Sequence, residues 1–218
     1  MAKKREFHIS QFRDYKIKYD GPNLIGFDPS LTSFGVALLS KDNLRTFTIS
    51  FPSTKTIRPK GIHTFRQIMD VLHNCIKDHG TGVNIIAVEG YSFHSAGDSI
   101  TDTIEVGTCM RLAVVSCGCC VFEIPPKRVK MFATLNGSAS KPLVKQKMST
   151  ILRSPVRTTD EADAASIVLI FAEILGYQTP FHAHTEVVKV NRALKEMRKE
   201  YGKNFAKYAQ TEFPGGDD

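Results

Sequence analysis

The chain has 218 residues, 42% of them hydrophobic, and its 29 Lys and Arg against 22 Asp and Glu give a net charge of +7. That length suits one domain with appendages, the apolar fraction excludes wholesale disorder, and no apolar run reaches the roughly 18 residues of a membrane-spanning helix. The basic opening Met1-Ala2-Lys3-Lys4-Arg5 leads into polar residues rather than an apolar leader, so a cytoplasmic, non-secreted protein is expected.

The surplus of positive charge favours a polyanionic partner, because each phosphate contacted releases condensed counterions. Much of it lies in residues 1–18 and 189–207. The five cysteines, an odd number without a secretion signal, argue for small reduced core residues rather than a disulfide framework.

In chain order, residues 1–22 form a basic N-terminal extension, 23–177 the domain body, and 178–218 a basic, helical C-terminal extension with a tail. Asn23 to Asp28 is an apolar run closing on a carboxylate and Pro29-Ser30, which predicts a strand ending in a turn. Phe34 to Leu39 predicts its hairpin partner, and Leu44 to Phe51, alternating with period two, a third strand. From Thr64 the period becomes helical and ends at His79-Gly80. Val83 to Val88 is a short buried strand ending in Glu89. A helix is expected over 99–116, a strand over 121–124, and helices over 126–134, 140–152 and 160–176. This order predicts an α/β fold with a mixed five-stranded sheet flanked by helices, a hairpin block first and parallel crossovers after.

The chemistry is concentrated in carboxylates. Asp28 and Glu89 each end a strand; if those strands are parallel neighbours, both side chains project at one edge of the sheet, where α/β ligand sites form. Asp160 and Asp163 share one face at the start of an apolar helix, with Glu161 pointing elsewhere. Alone, that pair reads more readily as a helix cap than as a site. Four converging carboxylates need a compensating cation, and oxygen ligands without His or Cys suit Mg²⁺ or Mn²⁺. Two such ions are the usual arrangement for attack on a phosphodiester.

Five motifs in order carry a resemblance. Ile25-Gly26-Phe27-Asp28-Pro29, Ala87-Val88-Glu89, Phe122 to Lys130, Gly137-Ser138-Ala139-Ser140-Lys141 and Asp160-Glu161-Ala162-Asp163-Ala164 are similar to the motifs of RuvC-type Holliday-junction resolvases across 24–175. The resemblance implies an RNase H-like fold, a homodimer, and a Mg²⁺-dependent endonuclease (Mn²⁺ substituting) that nicks two opposed strands of a four-way junction, with two ions per site. It implies Asp28, Glu89, Asp160 and Asp163 as the catalytic, metal-binding set, and Lys130 and Lys141 as phosphate-facing residues. Lys145 and Lys147 on the following helix, and Tyr91 and Phe93 flanking the position of the family's junction-opening aromatic, complete the expected DNA contacts. Departures from the pattern, such as Ser30 after the Asp-Pro pair and the two terminal extensions, point to a divergent, phage-type member. An RNase H-like nuclease on RNA–DNA hybrids and a non-catalytic junction binder are the alternatives. The G-S-A-x-K loop fits the first less well, and the presence of all four acids disfavours the second.

The helix over 99–116 carries Ile100, Ile104, Met110, Leu112 and Val115 with small Gly107, Cys109 and Ala113, more apolar surface than one face needs. It is the expected dimer contact, and a wholly buried monomer helix is the alternative. The apolar spacing of 187–208 predicts an amphipathic helix with a basic outer face.

Overall fold

The computed structural model describes residues 8–30, 33–50, 85–90 and 99–180, with the isolated positions Arg66, Met69, Asp70, His73, Asn74 and Lys199. The isolated positions are helical. Most of the helix expected over 64–79, the C-terminal helix apart from Lys199, and Tyr91 and Phe93 lie outside the described residues.

Seven strands form one mixed sheet: β1 (His8–Ile9), β2 (Arg13–Lys16), β3 (Leu24–Pro29), β4 (Ser33–Ser40), β5 (Asn43–Ser50), β6 (Ile85–Glu89) and β7 (Cys120–Ile124). Among the described residues four continuous helices accompany them: α1 (Ser99–Ser116), α2 (Pro126–Thr134), α3 (Lys141–Ile151) and α4 (Thr159–Ile174). The sheet runs β1-β5-β4-β3-β6-β7, with β2 also on β5. β3, β4 and β5 pair antiparallel, whereas β6 joins β3 and β7 joins β6 in parallel. The expected hairpin block and parallel crossovers are both present.

The expected count of five strands is corrected at one edge. β1 pairs with the end of β5 (His8 opposite Ser50) and β2 with its start (Arg13 opposite Thr46), so together they occupy a sixth position. The same segment carries Tyr15, Ile17 and Tyr19 into the core, so packing begins upstream of residue 23. Covering the edge of β5 pairs backbone groups that would otherwise be an open template.

Alternation along the strands sends side chains to two cores. Ile25, Phe27, Phe34, Val36, Ile86 and Val88 face α1 and meet its Val106, Met110, Ala113 and Val114. Leu24, Ala37, Leu39, Ile85 and Ala87 face the other way, against α2, α3 and α4. α4 is buried all round, from Glu161 to Ile174. A helix with apolar residues on every side has no solvent face to offer, and its place on the sheet is correspondingly fixed.

Candidate active site

Period two decides where the acids point. In β3, Leu24, Gly26 and Asp28 lie on the α4 side; in β6, Ile85, Ala87 and Glu89 do. Gly26 pairs with Ala87 and Phe27 with Val88, so one step on Asp28 and Glu89 are neighbours at the ends of parallel strands. On its other flank Asp28 pairs with Gly35 of β4. A Cβ at Gly35 would sit 2.0 Å from the Asp160 carbonyl oxygen, and one at Gly26 would sit 2.9 Å from that of Ala164. Both glycines therefore let the first two turns of α4 rest directly on the sheet. That contact brings Asp160 and Asp163 over Asp28.

The start of α4 is held from several sides. Its cap is Thr158, whose Oγ1 accepts from the Glu161 backbone N–H at 3.1 Å, so the capping alternative for the two aspartates falls away. Glu161, fully buried, turns from the site and accepts from Thr46 Oγ1 at 3.1 Å and from Arg157 Nη2 at 2.9 Å. Arg157 also donates to Ser10 Oγ at 3.1 Å and to the Gln11 carbonyl, tying the N-terminal strands to this helix. Ser33 donates its hydroxyl to Asp160 Oδ2. The turn before it is closed by Ser30, whose Oγ donates to the Ser33 carbonyl at 2.6 Å and accepts from the Ser33 N–H at 3.2 Å. The sequence places Ser30 in a turn and Glu161 away from the site, but it gives no sign of Ser33, of Arg157 or of the buried partners of Glu161. A serine in a turn has no chemical signature, and the burial of a glutamate depends on partners far away in sequence.

Lys141 completes the site. The loop before it is closed by Asn136 Oδ1 accepting from the Ser138 N–H at 2.9 Å and anchored by the buried Ala139. This fixes the first residue of α3 while its long side chain reaches across. The Lys141 Nζ lies 3.4 Å from Asp163 Oδ2, 3.7 Å from Asp160 Oδ1 and 4.0 Å from Asp28 Oδ2. Asp28 Oδ2 is buried and has no hydrogen-bond partner among the described residues.

Burial, then the charges of Glu89 and Asp163, push the Asp28 carboxyl well above the usual carboxylate range. Burial also raises Glu89, with the Lys141 and Lys130 charges pulling it back. Asp163 is raised to about 6, by burial first and then by Glu89. Burial works against the Lys141 ammonium, but Asp28, Asp163, Asp160 and Glu89 outweigh it and hold the proton well above the ordinary range.

Three of the four expected acids thus meet around one ammonium, Glu89 stands beside Asp28, and the field of Lys130 reaches Glu89. Lys145 follows Lys141 by one turn on the same side of α3, whereas the exposed Lys147 falls on another side. The donor set fits a hard divalent ion: carboxylate oxygens only, one of them buried without a hydrogen bond. As arranged, no three acidic side chains among the described residues close on a single point to ligate an ion.

The family model described as crossover junction endodeoxyribonuclease RuvC matches residues 24–171. Among solved structures, Thermus thermophilus RuvC aligns with a TM-score of 0.54 at 20% identity, covering 72% of this chain and 99% of that one. T. thermophilus RuvC in complex with Holliday junction substrate aligns with a TM-score of 0.55 at 17% identity, again over 72% and 99%. No curated protein matches the chain. At these identities the likeness speaks for the fold, an RNase H-like mixed sheet flanked by helices.

Proposed function

The chain belongs to the RuvC family, and on that footing we propose that it is a divalent-metal-dependent endonuclease that resolves four-way DNA junctions by paired nicking of opposed strands. The observation that carries this reading is the meeting of Asp28, Asp160 and Asp163 around Lys141, with Glu89 beside Asp28 at the ends of parallel strands.

In this reading Asp28 and Glu89, held by the sheet, and Asp160 and Asp163, held by a buried helix, supply the oxygen ligands from fixed backbone positions, their side chains closing on the ion as it binds. Two Mg²⁺ ions, or Mn²⁺ in their place, would supply Lewis acidity for in-line attack of water on phosphorus and for departure of the sugar oxygen. Fixed backbone positions matter because charge stabilisation aimed at a developing oxyanion is most effective when its groups reorganise little. Ser33 keeps Asp160 in one orientation through its hydroxyl. Lys130 and Lys141 put positive charge where non-bridging phosphate oxygens arrive. Lys145, one turn after Lys141, extends this basic side; Lys147, Tyr91 and Phe93 are further candidate DNA contacts. Two such sites related by a two-fold axis match two opposed strands, which makes the acting form a homodimer.

Cleavage of a synthetic four-way junction, beside a fork, a flap and an RNA–DNA hybrid with Mg²⁺ present, tests the reading. Paired nicks in the junction are expected. Asp28→Asn, Glu89→Gln and Asp163→Asn should each lower nicking by about two orders of magnitude or more while gel-shift affinity for the junction survives. A hybrid cut in preference to the junction would overturn the proposed substrate.

A further inference from the structure

We propose that the Lys141 ammonium is the resident counter-cation of the metal-free site, and that a divalent ion binds only as this ammonium leaves. The inference rests on the reading of the four acids as a metal site.

Three aspartates, two of them buried, surround one Nζ at 3.4, 3.7 and 4.0 Å, with Glu89 alongside Asp28. Like charges crowded out of water are costly without a compensating charge. The ammonium supplies that charge within 4.0 Å of three of the four acids, so a divalent ion drawing on the same carboxylates would meet it there. Two cations cannot share that point. The same side chain is placed to leave. Its backbone is fixed at the start of α3 behind the anchored Ala139 loop, but the side chain is 48% exposed and its stem has four rotatable bonds. Swinging outward carries the charge to the mouth of the site, on the side that phosphate approaches. Loading is then an exchange of one cation for another, and the apparent affinity for the ion is reduced by the fraction of molecules with Lys141 in place.

Isothermal titration of Mn²⁺ into the full-length, DNA-free protein tests the exchange. Lys141→Gln should bind Mn²⁺ roughly tenfold tighter than wild type, or more, because a competing unit charge within 4 Å of three carboxylates is gone. Lys141→Arg, which keeps the charge, should gain nothing. Without metal, Lys141→Gln should melt below wild type and gain more on adding Mn²⁺. Equal or weaker Mn²⁺ binding by Lys141→Gln would overturn the proposal and leave the assigned function standing. A wild type that binds no Mn²⁺ at all would overturn both. If Lys141→Gln does not fold, ¹⁵N-lysine spectra of the wild type decide: the Lys141 Nζ signal, assigned by its loss in Lys141→Arg, must move when Mg²⁺ is added, and an unmoved signal overturns the exchange.

Discussion

Asp163 is held among Lys141, Asp160 and Glu89 with almost no water, and the site's readiness for a cation has a cost in folding free energy. Its carboxyl is raised from 3.8 to about 6, so the folded chain binds that proton more tightly than the unfolded chain does. Ionising Asp163 therefore destabilises the fold. The penalty is absent below about pH 3.8, grows through the interval up to about 6, and is constant above it. Asp163→Asn should stabilise the metal-free protein at pH 7.5 by on the order of 1–3 kcal/mol, while abolishing nicking. Thermal melts at pH 7.5, 6 and 4 should show that gain shrinking towards zero as the acid titrates; a gain independent of pH would mean that charge burial is not its source. Residue by residue, Asp28 and Glu89 stood out as carboxylates ending apolar strands, whereas Asp160 and Asp163, which alone read as a helix cap, were singled out by the convergence of four acids and the motif order. Ser33 and the Glu161–Arg157 pair were not, since both are defined by partners more than a hundred residues away or by burial itself.

α4 and the hairpin of β3 and β4 act as one unit, and the two glycines set their separation. Gly35 faces the Asp160 carbonyl so closely that a methyl group would meet backbone, which cannot rotate out of the way. Gly35→Ala should therefore lift the start of α4, destabilise the fold by about 2 kcal/mol or more, and cut activity further than the lost stability explains. Urea unfolding and nicking assays on the same preparation would check this; wild-type stability and turnover would mean the helix does not sit on Gly35. The element boundaries were readable from sequence wherever periodicity was long: helices expected over 99–116, 126–134, 140–152 and 160–176 stand at Ser99–Ser116, Pro126–Thr134, Lys141–Ile151 and Thr159–Ile174. β1 and β2 escaped notice because strands of two and four residues in a basic stretch carry little pattern. Their formation depends on the open edge of β5 and on the Arg157 contacts to Ser10 and Gln11.

Among the described residues, one helical layer is closed by its own packing and the other leaves apolar side chains exposed. α2 and α3 lie over α4, whereas α1 stands on the opposite face of the sheet. α1 turns Val106, Met110, Ala113 and Val114 inward and leaves Ile104, Leu112 and Val115 at 42%, 55% and 60% exposure. At about 100° per residue the three exposed side chains fall within an arc of about 80°, with the exposed Thr108 between them, so they share one side of the helix rather than being scattered. The helix is therefore not wholly buried within one chain, and in the proposed homodimer this stripe is where the two-fold partner would lie. A reaction that nicks two opposed strands in concert needs that partner. Light scattering of the DNA-free protein should give twice the chain mass of 24.3 kDa. Leu112→Glu with Val115→Glu should bring it to a monomer whose melting temperature barely changes, because neither side chain is in the core. The same variant should nick junctions singly rather than in pairs, read as an accumulation of once-cut junction on denaturing and native gels. A double variant that remains dimeric would move the interface away from α1, and a wild type that is monomeric both free and on a junction would remove paired cleavage from the proposed reaction.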